Sequence, residues 1–193
     1  MDDQAYLAKL RTYWKKHQAF PAMGKLTEVV GLSSTSSVFA LIRRLTEAGF
    51  LERVEGRIAP TRRFFARPLL GRVRAGQPEP ASQEQPEVLT IDDYLIDDPN
   101  RTALVTVRGD SMKDVGLLDG DLVVVETNSP TKPGDIVVAV VDGEMTVKTL
   151  RLDRKGQFYL EPANTAFQPI RPQGSLEIVG VVIGSFRRHR RRA

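Results

Sequence analysis

The sequence has 193 residues, of which 41% are hydrophobic and 27% charged, and this length favours two modest domains on a prior of roughly 100 to 200 residues per domain. No apolar run approaches the roughly 18 residues of a membrane span, and no signal-peptide pattern follows the acidic N-terminus. We therefore expect no membrane partner. The absence of cysteine excludes disulfides and thiolate metal sites, and two histidines argue against a zinc enzyme. We expect no metal and no cofactor.

The charge of the chain is unevenly distributed. Residues 1–75 contain 14 lysines and arginines against 6 acidic residues, a net charge of +8, whereas residues 76–193 carry a net charge of −4. A basic front half joined to an acidic back half indicates a polyanionic partner for the front half. A solvated basic surface without any partner would give the same pattern.

Three helices are predicted in the front half. Apolar residues recur at helical spacing over residues 2–18. A short second helix fits residues 25–30 and ends at Gly31, a residue type that often forms a left-handed cap. The third helix begins in the hydroxyl-rich segment 33–37, whose side chains can cap the exposed amides, and continues to Ala48.

A hairpin is predicted directly after the third helix. Residues 50–54 and 57–59 are strand-like, and the turn Glu55-Gly56 separates them. The apolar stripe of the third helix consists of Val38, Leu41, Ile42 and Leu45. Three helices followed by a hairpin are typical of a winged helix-turn-helix.

The third helix is the predicted DNA-reading element, because the second helix of a helix-turn-helix lies in the major groove. The residues near its N-terminus that are placed to contact base edges are Ser36, Ser37, Phe39 and Ala40. Serine hydroxyls bond several base edges, and an apolar side chain can contact the thymine methyl group. The arginines placed for phosphate contacts are Arg43, Arg44, Arg57, Arg62 and Arg63.

Two alternatives remain open for this region. A winged helix can also bind protein instead of DNA, although the net charge of +8 favours DNA. Phe39 fits a core residue of the third helix as well as it fits a base contact.

The back half is predicted to be mainly β. Residues 76–87 are rich in proline, glutamine, glutamate and serine, a composition that is typical of a linker. Strand-like runs separated by glycine-containing turns follow the linker, and they cover residues 104–107, 122–125, 136–141, 145–149, 158–161 and 178–183.

Ser111 and Lys148 are the candidate catalytic pair. Ser111 follows a predicted strand in the sequence Gly109-Asp110-Ser111, and Lys148 lies near the end of a later strand. A serine needs a neighbour that accepts its proton, and the only histidine of the back half is His189, in an arginine-rich tail. Burial among apolar residues can lower the pKa of a lysine until the neutral amine is available. Each residue alone is weak evidence, because Gly-Asp-Ser turns and strand lysines are common.

Several motifs in order resemble the LexA repressor family and the wider group of self-cleaving Ser-Lys proteins that includes UmuD and phage repressors. The motifs are Val-Arg-Gly-Asp-Ser-Met at 107–112, Gly-Leu-Leu-Asp-Gly-Asp at 116–121, Pro-Gly-Asp-Ile-Val at 133–137, Val-Lys-Thr-Leu at 147–150 and Leu-Glu-Pro-Ala-Asn at 160–164. The spacing between Ser111 and Lys148 is also the one that this family shows. The back half is the firmer match, and the front half matches mainly in its layout.

The resemblance implies that Ser111 is the nucleophile, that Lys148 is the general base, and that the chain cuts itself between Ala75 and Gly76. It also implies a repressor of the DNA-damage (SOS) response that binds double-stranded operator DNA as a homodimer. Cleavage would be stimulated by the RecA filament on single-stranded DNA. Dimerisation would involve the back half, with residues 176–185 as the candidate pairing edge. Such a protein would be bacterial, cytoplasmic and associated with the nucleoid.

The predicted fold is therefore α+β with two domains. A winged helix-turn-helix would occupy residues 1–66, a linker with the cleavage site residues 67–87, and a mainly β LexA/signal-peptidase-like domain residues 88–186. The arginine-rich tail at 187–193 is either a further nucleic-acid contact or a disordered end.

Two rival functions remain. In the first, the chain is a DNA-binding repressor whose Ser-Lys site is inactive or responds to another inducer. In the second, the chain is a peptidase that acts on other proteins, as signal peptidase does, and the absence of a membrane-length segment argues against this possibility. Incubation at alkaline pH separates a self-cleaving protein from a pure binder, because it deprotonates lysine.

Overall fold

The computed structural model describes residues 3–69 and 87–189, and these divide into two compact units between Tyr94 and Leu95. The first unit begins with three helices, continues with an antiparallel hairpin and then has a short helix. These elements are α1 (Asp3–His17), α2 (Met23–Val30), α3 (Thr35–Glu47), β1 (Leu51–Val54), β2 (Arg57–Pro60) and α4 (Arg62–Phe65). The three predicted helices and the predicted hairpin are all present, and their ends differ from prediction by at most a few residues.

The first unit has its own apolar core. The stripe predicted for α3 is buried, and it packs against Leu7 and Leu10 of α1, Leu26 of α2 and Phe64 of α4. Local capping fixes the start of α3, because the Ser34 side chain accepts a hydrogen bond from the Ser37 amide at 3.2 Å. Gly31 ends α2 with φ of 75°, as its position in the sequence predicts.

The ends of the predicted linker are structured. Strand β3 (Arg67–Leu69) pairs antiparallel with β4 (Glu87–Leu89), and a short helix, α5 (Ile91–Leu95), follows. The structure divides the chain at Tyr94 and Leu95, whereas the sequence prediction ended the first domain at residue 66 and began the second at residue 88. The difference arises because β4 pairs with β3, which follows α4 directly, so both strands fall in the first unit.

The second unit is built on one antiparallel sheet with the strand order β5-β6-β10-β7-β8-β9. The strands are β5 (Thr102–Thr106), β6 (Leu122–Thr127), β7 (Ile136–Val141), β8 (Glu144–Leu152), β9 (Phe158–Glu161) and β10 (Leu176–Phe186). Each of the six predicted runs corresponds to one strand. Two groups of buried apolar residues lie on this sheet, one including Val123 and Val138 and the other including Leu150 and Leu160.

Strand β10 lies inside the sheet and not at its edge. Its first half pairs with β7 and its second half with β6, and Gly180 and Val181 pair with both. The prediction of residues 176–185 as a pairing edge is therefore wrong for the strand as a whole. Sequence alone did not reveal this, because the order of strands depends on long-range pairing. Residues 182–186 pair only with β6 among the residues that the structure describes.

No helix in the described part of the chain is long and apolar enough to cross a membrane. The same residues contain no group of three or more histidine, cysteine, aspartate or glutamate side chains arranged to hold a metal ion.

Candidate functional site

The fold brings Ser111 and Lys148 together from positions that are 37 residues apart. Lys148 lies on β8, and Ser111 lies in the loop that follows β5. The Lys148 Nζ atom is 2.9 Å from the Ser111 Oγ atom. This distance allows direct transfer of a proton between the hydroxyl group and the amine.

Lys148 is held in an environment that disfavours its charge. Only 7% of the residue is exposed, and burial lowers the pKa of its amine from the ordinary lysine value. Besides Ser111, Nζ has two hydrogen-bond acceptors, the Thr146 hydroxyl and the Val147 carbonyl, each at 2.9 Å. These two acceptors fix the direction of the amine.

The loop that carries Ser111 is anchored on both sides. Gly109 has φ of 82°, a conformation that side chains other than glycine rarely adopt, and its amide donates to the Asp119 carboxylate at 2.8 Å. On the other side, the buried Asn164 side chain donates to the Asp110 carbonyl at 3.0 Å. Ser111 is therefore positioned by backbone contacts immediately before it.

A cleft of about 430 Å³ opens next to the pair. One wall comes from residues 105–108 and Ser111, and the other comes from residues 145–148. Strand β5 is the first strand of the sheet, and β9 pairs with β8 only from Thr149 onward. Within the described ranges, each wall thus pairs with a strand on one side only. The backbone groups on its other side are available to an extended peptide.

The predicted cleavage site, Ala75 and Gly76, lies outside the described residues. The described residues therefore give no distance between this bond and Ser111. The assignment of the Ala75-Gly76 bond as the cleavage site remains a prediction.

The predicted base-reading residues lie on the solvent side of α3. Ser36, Ser37 and Phe39 are exposed and Ala40 is partly exposed, whereas the apolar stripe of the same helix is buried. Phe39 is 52% exposed, so it is not the core residue that the sequence also allowed. It borders a shallow depression with Ser36, Arg43 and the strand residue Arg53.

The five predicted phosphate-binding arginines are all exposed, but several have partners. Arg44 makes two hydrogen bonds to the Asp3 carboxylate, at 2.7 and 2.9 Å. The other contacts are looser: Arg43 with Glu47 at 3.8 Å, Arg62 with Asp93 at 3.5 Å, and Arg63 at 5.2 Å from the centre of the Phe50 ring. Because exposed ion pairs contribute little, these looser contacts leave Arg43, Arg57, Arg62 and Arg63 available to an anion, whereas Arg44 is already bound.

Sequence reasoning missed the contacts of three side chains in the second unit. Thr146 lies two residues before Lys148 on β8, and alternate side chains of a strand point to the same face of the sheet. The sequence therefore contained a signal that Thr146 lies beside Lys148. Asn164 was recognised only as the last residue of a family motif, without a predicted contact of its own. Arg187 was assigned to the tail, but it forms an ion pair with the buried Asp121. Arg187 is therefore not part of a free tail. A run of arginines contains no signal that one of them pairs with a distant carboxylate.

The sequence of the chain is similar to those of several known proteins. A family described as Peptidase S24-like matches residues 68–183. The LexA repressor of Carboxydothermus hydrogenoformans is 32% identical, and the match covers 97% of this chain and 96% of that protein. LexA repressor 1 of Nocardia farcinica is 35% identical, with 94% and 90% covered. The LexA repressor of Caldicellulosiruptor saccharolyticus is 34% identical, with 87% of each protein covered. The chain belongs to the LexA repressor family, and its back half is a domain of the self-cleaving S24-like serine peptidases.

Proposed function

We propose that this chain represses the DNA-damage (SOS) response by binding operator DNA as a dimer, and that RecA-stimulated self-cleavage between Ala75 and Gly76 ends repression. Ser111 is the nucleophile and Lys148 the general base. The observation that carries the proposal is the 2.9 Å contact between the hydroxyl group and a buried amine whose pKa is lowered.

The three contacts of the Lys148 amine can be satisfied when the amine is neutral. A neutral amine has two hydrogens and one lone pair, and the Thr146 hydroxyl and the Val147 carbonyl can accept the two hydrogens. The lone pair is then left for the Ser111 hydroxyl. This arrangement gives the lysine the function that histidine has in other serine peptidases.

The proposed reaction has two steps. Lys148 takes the Ser111 proton while Ser111 Oγ attacks the Ala75 carbonyl carbon, and the resulting ammonium returns the proton to the Gly76 nitrogen as the peptide bond breaks. Water then attacks the ester between Ala75 and Ser111, again with Lys148 as the base, and restores the free serine. Backbone amides near Ser111 would stabilise the developing oxyanion. The reaction needs no metal or cofactor.

The cleft beside Ser111 supports binding of the cleavage segment as an extended strand. The two walls of the cleft offer unpaired backbone groups from β5 and β8, and main-chain hydrogen bonds can hold a peptide regardless of its side chains. Small residues at the cleaved bond, Ala75 and Gly76, let its carbonyl approach Ser111 closely.

DNA binding is assigned to the first unit, which we infer to be a winged helix-turn-helix. Three helices precede a hairpin, and the exposed face of α3 carries hydroxyl groups, one exposed aromatic ring and arginines. The net charge of +8 over residues 1–75 supports a polyanionic partner. We place the protein in the bacterial cytoplasm with the nucleoid, and its other partners are a second copy of the chain and the RecA filament.

Phe39 gives a specific prediction for the DNA contact. We expect that replacing one thymine of the operator half-site by deoxyuridine weakens binding about fourfold, because one buried methyl group contributes roughly 0.8 kcal/mol. In Phe39→Ala the same replacement should have no effect. Each thymine of an operator selected from random DNA is tested in a binding titration, and equal losses in the two proteins at every thymine would contradict the contact.

Incubation of the purified chain at alkaline pH tests the proposed function. Self-cleavage between Ala75 and Gly76 gives fragments of 75 and 118 residues, which intact-mass measurement identifies. A rate that does not depend on protein concentration indicates cleavage within one chain. An intact protein after prolonged incubation, both with and without the RecA filament, would instead support the rival repressor with an inactive peptidase domain.

A further inference from the structure

The chain immediately after β10 is fixed to the turn that precedes β6. The Nη2 atom of Arg187 donates to the Asp121 carboxylate at 2.6 Å and to the Gly116 carbonyl at 3.0 Å, and its Nε atom donates to the other carboxylate oxygen of Asp121. Only 2% of the Asp121 side chain is exposed. A planar guanidinium group thus neutralises a buried carboxylate through two parallel hydrogen bonds.

The turn that contains Asp121 also holds the loop that carries Ser111. The Val107 amide donates to the Asp121 carbonyl at 2.8 Å, and the Gly120 amide donates to the Val107 carbonyl at 2.9 Å. Within the same turn, the Asp119 carboxylate accepts from the Gly109 amide at 2.8 Å. A continuous set of hydrogen bonds therefore leads from Arg187 through residues 116–121 to a point two residues before Ser111.

Removal of Arg187 would leave a buried carboxylate without its cation. Asp121 would keep one hydrogen bond from the Leu118 amide, at 2.8 Å, but a buried unpaired charge is strongly unfavourable. The hydrogen bond from Arg187 is also the main reason that the pKa of Asp121 is lowered. The turn would have to open toward water, and the loop attached to it would move.

We propose that Arg187 is a positioning residue for self-cleavage: it holds Ser111 in line with Lys148 by pairing with Asp121 beneath the Ser111 loop. This inference rests on the proposed function, because it concerns the same reaction. It also assigns a role to a residue of the arginine-rich C-terminal segment.

The position of Lys148 allows the positioning role of Arg187 to be distinguished from a general electrostatic effect on the catalytic base. Lys148 is carried by β8, which pairs with β7 and β9 and not with the turn at residues 116–121. Loss of Arg187 should therefore shift the nucleophile and leave the two other hydrogen-bond partners of the Lys148 amine, Thr146 and Val147, in place. The maximal rate at high pH should fall, because the neutral amine then no longer faces a correctly placed hydroxyl group.

The test compares Arg187→Ala, Arg187→Lys and Arg188→Ala in the full chain. Arg188 is the matched control, since it is exposed and has no hydrogen bond or ion pair with any described residue. Cleavage is followed from neutral to alkaline pH, well below the melting temperature of each variant. We expect about 10²-fold slower cleavage in Arg187→Ala, the typical effect of moving a reacting group by 1 Å, an intermediate rate in Arg187→Lys, and the wild-type rate in Arg188→Ala.

Equal rates in folded wild type and Arg187→Ala would overturn the inference, because Arg187 would then contribute only to stability. A wild-type maximal rate at high pH with a changed pH midpoint would also overturn it, because Arg187 would then act on the charge of Lys148 and not on the position of Ser111. If Arg187→Ala does not fold, Arg187→Lys decides in its place, since it keeps the charge but loses the bidentate geometry, and a wild-type rate in it would refute the positioning role. A wild-type chain that does not cleave at all would contradict the proposed function instead.

Discussion

Self-cleavage of the full chain is expected to become about tenfold faster with each pH unit until neutral Lys148 predominates, and to be lost in Ser111→Ala and Lys148→Ala. The rate follows the fraction of neutral amine, because only the neutral form can take the Ser111 proton. Burial lowers the pKa of Lys148, so the pH of half-maximal rate should lie below the ordinary lysine value of about 10.4.

The expected loss is large. A positioned general base contributes about 10²- to 10⁴-fold, and the serine supplies the bond-forming oxygen itself. Matched controls are Lys155→Ala and Ser175→Ala, which change an exposed lysine and an exposed serine of the same unit. Cleavage is measured by the appearance of the two fragments, and persistent cleavage at the same bond in Ser111→Ala would contradict the proposed nucleophile.

The stability of Lys148→Met provides an independent check on the same site. Because the folded pKa of Lys148 lies below the unfolded value, the unfolded chain binds more protons between these two values, and stability rises with pH through that window. Below the window, the folded protein carries a poorly hydrated ammonium group. We therefore expect Lys148→Met to melt at a higher temperature than wild type near neutral pH, with this advantage decreasing as the pH rises.

The local elements of this chain follow closely from its sequence. Helical spacing, the Ser34 cap and the glycine after α2 specify the first unit through interactions between near neighbours, which a sequence pattern records directly. The six strands of the second unit were likewise predictable one by one, because each is a short apolar run between turns.

The arrangement of those strands was not predictable in the same way. The interior position of β10 and the pair of Asp121 with Arg187 depend on contacts between residues far apart in sequence. The contact between Ser111 and Lys148 also joins residues that are far apart in sequence. It was predictable from the family motifs, because the chemistry of either residue alone was weak evidence. Burial of Lys148, which lowers its pKa, is also a property of the assembled sheet.

Cleavage is expected to weaken binding to a two-half-site operator by about 10²- to 10⁴-fold, the usual contribution of a second linked binding module. The 75-residue fragment loses β4 and α5 but retains α1 to α4, the hairpin of β1 and β2 and the buried core of the first unit, so its own contacts with DNA should survive. It loses the connection to a second copy through the back half.

A single-half-site DNA separates this linkage effect from damage to the DNA-binding unit. The fragment and the uncleaved Ser111→Ala chain should bind one half-site equally, and only the uncleaved chain should gain from the second half-site. Titrations on both DNAs, at one salt concentration because phosphate contacts are salt-dependent, measure the two affinities. Equal affinity of the fragment and the full chain for the complete operator would mean that dimerisation through the back half does not drive repression, and cleavage would then have to release the DNA by another route.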